Sequence, residues 1–486
     1  MTQGLSGRLR AGMVWSMLES WGVQVVQFLT FVIVARYVDA VALGTVATAL
    51  LVGQFFQNFV LSGISTPLVR GGEDDRELQD AAFWIAAGAG VLLLVATLAV
   101  AMLVQRWTHQ PDLGWVLGWL GVANLLSALN LVPQAWLTRR LMMRPLAMRS
   151  TLSTLGGGVV GVGMAVSGYG VDALVAQNLV VALLGAAALW TVSPWRPRLA
   201  FSREKGREIF YYGRHMAVSG VANFFNANSD VLVVTMVLGA AATGIYTVGK
   251  RALLSANLLL ARSLSRVALP TFAHLRDDPN RLAQAYLKLV SSTAIITMPA
   301  FVGMALVSEE FILLFFGERW QGAVAVMYYL SFFGALQAIG IYNQSIMLAM
   351  GKPQWQAALA TLYAVVNLLS FFVAARYGVA AVALAFTVRA YLLYPLSIWA
   401  VVLLLPIRWS DYWAALRLSV IGCVGMMVAT TLFHQAADGF DPLPRMIMTI
   451  LCGMGSYSLI LLLLGRRELN EMLLFALGRE RRSVTP

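Results

Sequence analysis

Three charged side chains stand where charge is costly. The stretch from Ser229 to Arg251 reads SDVLVVTMVLGAAATGIYTVGKR, and Asp230, Lys250 and Arg251 interrupt apolar sequence on either side of a small-residue turn centred near Ala241. At about 1.5 Å per residue, all three lie roughly 15 Å from one surface, near the middle of a hydrocarbon layer about 30 Å thick. Each charge alone costs at least about 2.5–3.5 kcal/mol at that depth, so pairing or a wet cavity must offset it. An ion pair that merely pins two helices would leave one cation over, and burying charge is a poor route to stability. A surplus cation at mid-depth points to an anionic ligand.

Other polar residues share these apolar runs. Asp230 and Glu19, the latter in the first third of the first run, are the carboxylates able to carry a coupling proton or sodium ion. Arg389 is a further cation, and Gln54, Asn226 and Asn343 are amides. Amides between membrane helices serve as packing hydrogen bonds. In an aqueous cavity they also suit sugar hydroxyls, which need both donors and acceptors.

The elements that must hold these residues follow from composition. Of 486 residues, 59% are hydrophobic and 12% charged, where a soluble domain has about 25% charged. Mean hydropathy is +0.73. The apolar runs predict an all-α integral membrane protein, because no backbone group in hydrocarbon stays unpaired and the alternation of a barrel is missing. Fourteen helices are predicted near 12–35, 41–66, 80–104, 113–137, 147–167, 171–193, 215–238, 243–265, 288–308, 321–348, 354–375, 379–403, 415–433 and 444–464. With the N-terminus inside, 27 of the 35 Lys and Arg fall on the inner side, and Arg36, Arg106, Arg319, Arg376 and Arg445 on the outer. That bias predicts cytoplasmic termini. It also accounts for the net charge of +12 as an orientation signal and a contact for anionic phospholipids, with no nucleic-acid partner.

The loop 194–214 carries two prolines, six basic residues and no apolar span. Around it the chain repeats. Leu43-Gly44-Thr45-Val46 aligns with Thr243-Gly244-Ile245-Tyr246 at an offset of 200 residues, and STPLV at Ser65 and ALPTF at Ala268 each place a proline at the end of a second span. The expected organisation is a six-helix lobe over 1–193, a basic linker over 194–214, a second six-helix lobe over 215–405 related by pseudo-two-fold symmetry, and two extra helices with a basic tail over 406–486. Internal repeats of this kind are common in transporters, with the substrate site between the halves.

Several signals carry no chemistry. GGGVVGVG at Gly156 lies in an apolar run with no strand before it, so it reads as close helix packing and not as a nucleotide loop. Asp277 and Asp278 precede Pro279 as a helix N-cap. The histidines at 109, 215, 274 and 434 lack metal-ligand spacing, and Cys423 and Cys452 read as small core residues. The outer loops are short, which argues against an enzyme of glycan assembly.

As a set, the Asp230–Tyr246 pattern ending in T-G-x-Y, LLFFGERWQGA from Leu313 to Ala323 and LAMGKPQ from Leu348 to Gln354 resemble the polysaccharide transporter family. That family contains Wzx-type and colanic-acid-exporter-like flippases, in a superfamily shared with the multidrug and toxin extrusion transporters and the lipid II flippase. The resemblance covers essentially the whole chain. It implies a bacterial inner-membrane flippase moving an oligosaccharide on undecaprenyl pyrophosphate from the cytoplasmic to the periplasmic leaflet by alternating access, for surface polysaccharide synthesis. No cofactor is expected beyond a coupling H⁺ or Na⁺ at Asp230 or Glu19, and a polymerase and export machinery are further expected partners. Lys250, Arg251 and Arg389 are the residues here able to hold the pyrophosphate. The alternatives are a multidrug or cation antiporter of the same superfamily, which favours acidic cavities, a membrane enzyme, or a passive scramblase.

Overall fold

The computed structural model describes residues 2–57, 62–70, 75–108, 111–140, 142–265, 268–436 and 440–465. Among them there are seventeen α-helices and no strand. Ten described helices are long and apolar enough to cross a membrane, so the chain is a multi-pass membrane protein. The chain forms two compact units, Met1–Thr247 and Val248–Pro486.

The first unit holds α1 (Thr2–Tyr37), α2 (Ala40–Phe56), α3 (Ser62–Arg70), α4 (Arg76–Thr108), α5 (Pro111–Leu129), α6 (Leu131–Arg139), α7 (Met143–Val166), α8 (Val171–Val192) and most of α9 (Arg203–Ser265). Local chemistry sets several starts. Asp39 caps α2 by accepting a 2.7 Å hydrogen bond from Ala42 N–H, and Asp75 caps α4 by accepting one of 3.0 Å from Leu78 N–H; each satisfies an otherwise orphan donor. The glycine-rich run in α7 does pack helices closely. A Cβ on Gly157 would meet Val181 at 2.3 Å and Gln177 at 2.7 Å on α8, and one on Gly158 would meet Thr30 of α1 at 2.6 Å.

Half of the basic linker is helix. Its residues from Arg203 onward open α9, and only the part before it is extended. That part is docked: Trp84 Nε1 donates to the Arg198 carbonyl at 2.8 Å and Arg198 N–H donates to Asp80 at 3.3 Å. Phe83, Trp190 and Trp195 pack beside it with ring centroids 5.5–6.3 Å apart. Lys205 Nζ lies 2.7 Å from Asp75.

The second unit holds α10 (Ala268–His274), α11 (Pro279–Leu306), α12 (Ser308–Phe315), a 3₁₀ turn at Glu318–Trp320, α13 (Gly322–Ala349), α14 (Pro353–Ala375), α15 (Val379–Leu404), α16 (Trp409–Ala436) and α17 (Pro442–Leu464). Asp278 caps α11, accepting from Arg281 N–H at 3.1 Å with Pro279 at the first helical position. The core of this unit is threaded by buried hydroxyls and amides: Thr293 with Tyr342 at 2.6 Å, and Tyr394 with Tyr412 at 2.6 Å. The last two helices pack on α11, where Tyr457 Oη donates to the Ile295 carbonyl at 2.9 Å. Both cysteines are free.

Each of the fourteen predicted segments falls on a helix or a pair of helices. The second segment is two helices, α2 and α3, and the eighth is likewise followed by a short one, α10. Both short helices contain the proline that the sequence repeat aligns.

Candidate functional site

The charged hairpin is built by one glycine. Within α9, Gly239 adopts φ +83°, ψ −174°, a conformation open to glycine and strained for residues with a Cβ. Contacts across the break show that the chain reverses there. Thr235 and Thr243 hydroxyls meet at 3.0 Å, and Tyr246 Oη donates to Asp230 Oδ2 at 2.7 Å. Residues 230 and 246 would be about 24 Å apart on a straight helix, so the two arms run antiparallel, in register about residues 238–239.

That register decides what meets Asp230. Asp230 and Tyr246 are both fully buried, and the phenol donates to the carboxylate. The sequence places Tyr246 only in the T-G-x-Y signature; its pairing with Asp230 needs the turn position to within a residue. Of the other expected residues in this unit, Asn226 lies one turn before Asp230 on α9 and is half-buried, and Gln54 is exposed on α2. Glu19 lies in α1 with its side chain outside the described residues.

The hairpin turn is clamped to the start of α2 by two glycines. A Cβ on Gly44 would fall 1.7 Å from the Ala240 carbonyl oxygen, and one on Gly244 would fall 2.1 Å from that of Ala40. The contact is reciprocal, and its partners differ by the repeat offset: Gly44 with Gly244, Ala40 with Ala240. Only hydrogen fits in either place.

In the second unit, Lys250 and Arg251 continue α9 and are half-buried. Gly249 before them presses on α13, where a Cβ would meet Val326 at 2.7 Å and the Ala323 carbonyl at 2.8 Å. Arg389 of α15 is half-buried, its guanidinium 5.1 Å from the Phe386 ring and 6.0 Å from that of Tyr363. Asn343, expected in the substrate set, bonds within the protein. It is fully buried, accepts from Tyr286 Oη at 2.6 Å and donates to Ser397 at 2.9 Å. Its amide ties α11, α13 and α15 together, the packing role open to an intramembrane amide.

A second charged cluster is hidden from the sequence. Glu310 of α12 is 4% exposed, with Arg445 Nε of α17 at 3.1 Å and His434 Nδ1 of α16 at 3.8 Å. The hints are slight: Arg445 is one of five basic residues on the predicted outer side, and His434 is a lone histidine. Nothing in sequence spacing joins residues more than a hundred positions apart. No group of three or more His, Cys, Asp or Glu among the described residues has metal-site geometry.

A model of the family described as Polysaccharide biosynthesis protein matches residues 33–325. The chain is 28% identical over 316 residues to the succinoglycan biosynthesis transport protein ExoT of Rhizobium meliloti (strain 1021), a match covering 64% of this chain and 63% of that protein's length. It is 21% identical over 486 residues to the teichuronic acid biosynthesis protein TuaB of Bacillus subtilis (strain 168), covering 98% and 99%. It is 24% identical over 351 residues to the lipopolysaccharide biosynthesis protein WzxC of Escherichia coli (strain K12), covering 70% of each. Among solved structures, the lipid II flippase MurJ in an inward closed conformation superposes with a TM-score of 0.74 at 13% identity, over 96% of this chain and all of that one. An inward-facing multidrug resistance MATE family transporter gives 0.59 at 14%, over 82% and 97%. These two likenesses establish a shared fold.

Proposed function

We propose that this chain, which belongs to the polysaccharide biosynthesis protein family, is a flippase that carries a lipid-linked oligosaccharide across the bacterial inner membrane by alternating access. The family match over more than half of the chain carries this reading, and ExoT, a relative named as a transport protein, supports it. Undecaprenyl pyrophosphate is the lipid carrier we assign, moving from the cytoplasmic to the periplasmic leaflet with both termini cytoplasmic.

The residues give the reading its chemistry. A pyrophosphate bearing sugars does not cross hydrocarbon unaided, because its charges and hydroxyls lose their water. Lys250, Arg251 and Arg389 are fixed cations in apolar helices and replace that water for the pyrophosphate. Gln54 and Asn226 serve the sugars. Asp230 is the coupling carboxylate for H⁺ or Na⁺, its position fixed by Tyr246; Glu19 is the second candidate. A polymerase and export machinery would receive the flipped product.

The deciding experiment is reconstitution into liposomes with a fluorescent lipid-linked oligosaccharide, beside a cationic drug-efflux assay. Protein-dependent transfer of the glycolipid between leaflets is expected. Drug efflux without glycolipid transfer would replace this reading with an antiporter.

A further inference from the structure

The second unit contains a cavity of about 630 Å³ where the end of α11, the first turns of α12 and α13 and the end of α16 meet. That volume lies within the range of small-ligand sites, about 300–1,000 Å³. Glu309, Glu310, Gln321, Tyr328, Tyr329 and His434 are in its wall. It lies at the end that the charge bias predicts to face outside, and none of the residues assigned to the pyrophosphate lines it.

Its chemistry narrows the ligand. Two carboxylates and no lysine or arginine line it, so an anionic headgroup is disfavoured. A strongly cationic ligand is disfavoured too, because Arg445 already meets Glu310, with Nε 3.1 Å from Oε1. Yet Arg445 does not satisfy the carboxylate as a hydrogen-bond donor. Its Nε–H donates to His434 Nδ1 at 3.2 Å, and Nη2 lies 2.8 Å from the same nitrogen. Both Glu310 oxygens therefore lack a hydrogen bond among the described residues, although the residue is 4% exposed. Its charge is met by the guanidinium and not by the cavity.

A neutral, hydroxyl-rich ligand suits such a wall: the exposed Glu309 carboxylate accepts from its hydroxyls, while the buried Glu310 carboxylate, held by Arg445, stands behind the surface. Gln321 offers both a donor and acceptors. The rings of Tyr328 and Tyr329, 5.4 Å apart and edge to face, present apolar surface to the C–H face of a pyranose. We infer that this cavity is a sugar subsite, separate from the pyrophosphate cations, that holds one to a few residues of the glycan by its hydroxyls and ring faces. The inference rests on the flippase reading for the source of the sugar, and on the cavity alone for its chemistry.

The test uses the full-length protein in nanodiscs. The probe is the oligosaccharide released by mild acid from the source cell's lipid-linked pool, freed of lipid and phosphate. Wild type should bind it in titration calorimetry. Tyr328→Ala and the pair Glu309→Gln, Gln321→Ala should each weaken binding by about tenfold or more, while Tyr328→Phe, which keeps the ring, should not. Thermal midpoints identify any variant that fails to fold, and the Glu309→Gln, Gln321→Ala pair, at two exposed positions, then carries the comparison with wild type. No binding to folded wild type, or wild-type affinity in the folded Glu309→Gln, Gln321→Ala pair and in folded Tyr328→Ala, would overturn the subsite. Glycolipid transfer into liposomes is measured in parallel. Transfer without oligosaccharide binding sinks the subsite and leaves the flippase reading intact; binding without transfer does the reverse.

Discussion

Asp230 has a neutral donor, Tyr246, at hydrogen-bond distance, and this makes its contribution measurable. Tyr246→Phe keeps the ring and removes the donor. The buried carboxylate then loses a hydrogen bond, at a cost of about 1–3 kcal/mol, read as a lower thermal midpoint in detergent. Asp230→Asn in the Tyr246→Phe background should recover part of that loss, and an unchanged midpoint in the single variant would show that the bond contributes nothing. For Arg251, replacement by Ala should reduce glycan export with normal membrane levels, and replacement by Lys should be milder than by Glu if charge governs the site; unchanged export in Arg251→Ala would remove it from the pyrophosphate set. A second residue pair, Asp75 and Lys205, lies outside the spans. Partial burial works to raise the Asp75 carboxyl, but the hydrogen bonds from Lys205 and Leu78 N–H and the nearby positive charge outweigh it and hold its pKa below the ordinary value. The Lys205 ammonium is raised in turn by its hydrogen bond to Asp75 and that carboxylate's charge. A lowered carboxyl stabilises the fold above its unfolded value of about 3.9 and loses that contribution as pH falls through the folded value. A raised amine stabilises below about 10.4 and loses its contribution as pH climbs beyond. Asp75→Asn, which still caps α4, should therefore lower the thermal midpoint at neutral pH, and the difference from wild type should vanish on strong acidification.

Among the helices, the crossing of α2 and α9 is the most exacting. A Cβ at residue 44 would stand 1.7 Å from the Ala240 oxygen, and one at residue 244 would stand 2.1 Å from the Ala40 oxygen, so Gly44→Ala and Gly244→Ala each force backbone apart. Overpacking of this kind costs typically about 1–3 kcal/mol. Thermal unfolding should show both losses, whereas Gly163→Ala, where a Cβ meets nothing within 4 Å, should be close to neutral. Much of this is legible in the sequence. The apolar runs locate the helices, since hydrocarbon leaves the backbone few choices, and the small residues of the charged hairpin put its turn near Ala241, two residues from the actual break at Gly239. Two residues still suffice to change a partner, and Asp230 faces Tyr246. Asn343 is legible as an intramembrane amide, but its bonds to Tyr286 and Ser397 are not, because composition does not say which helices touch. The Glu310–Arg445–His434 cluster is illegible for the same reason.

The chain is a multi-pass helical membrane protein whose described helices share the fold of MurJ and a MATE transporter. Its orientation is a separate matter that the basic residues address. Reporter fusions after the loop 194–214 and at the C-terminus should both read cytoplasmic, and one after Arg376 periplasmic; the opposite pattern would invert the assignment of the sugar cavity to the outer side. The glycine clamp also has a mechanical consequence. Hydrogen atoms, and not interlocked side chains, fill the space between α2 and the turn of α9, so parting them requires no rotamer to unthread. Contacts of a Cα hydrogen with a carbonyl are worth about 0.5–1 kcal/mol each. Two of them amount to about 1–2 kcal/mol, so these contacts fix the closeness of the turn to α2 while adding little attraction of their own.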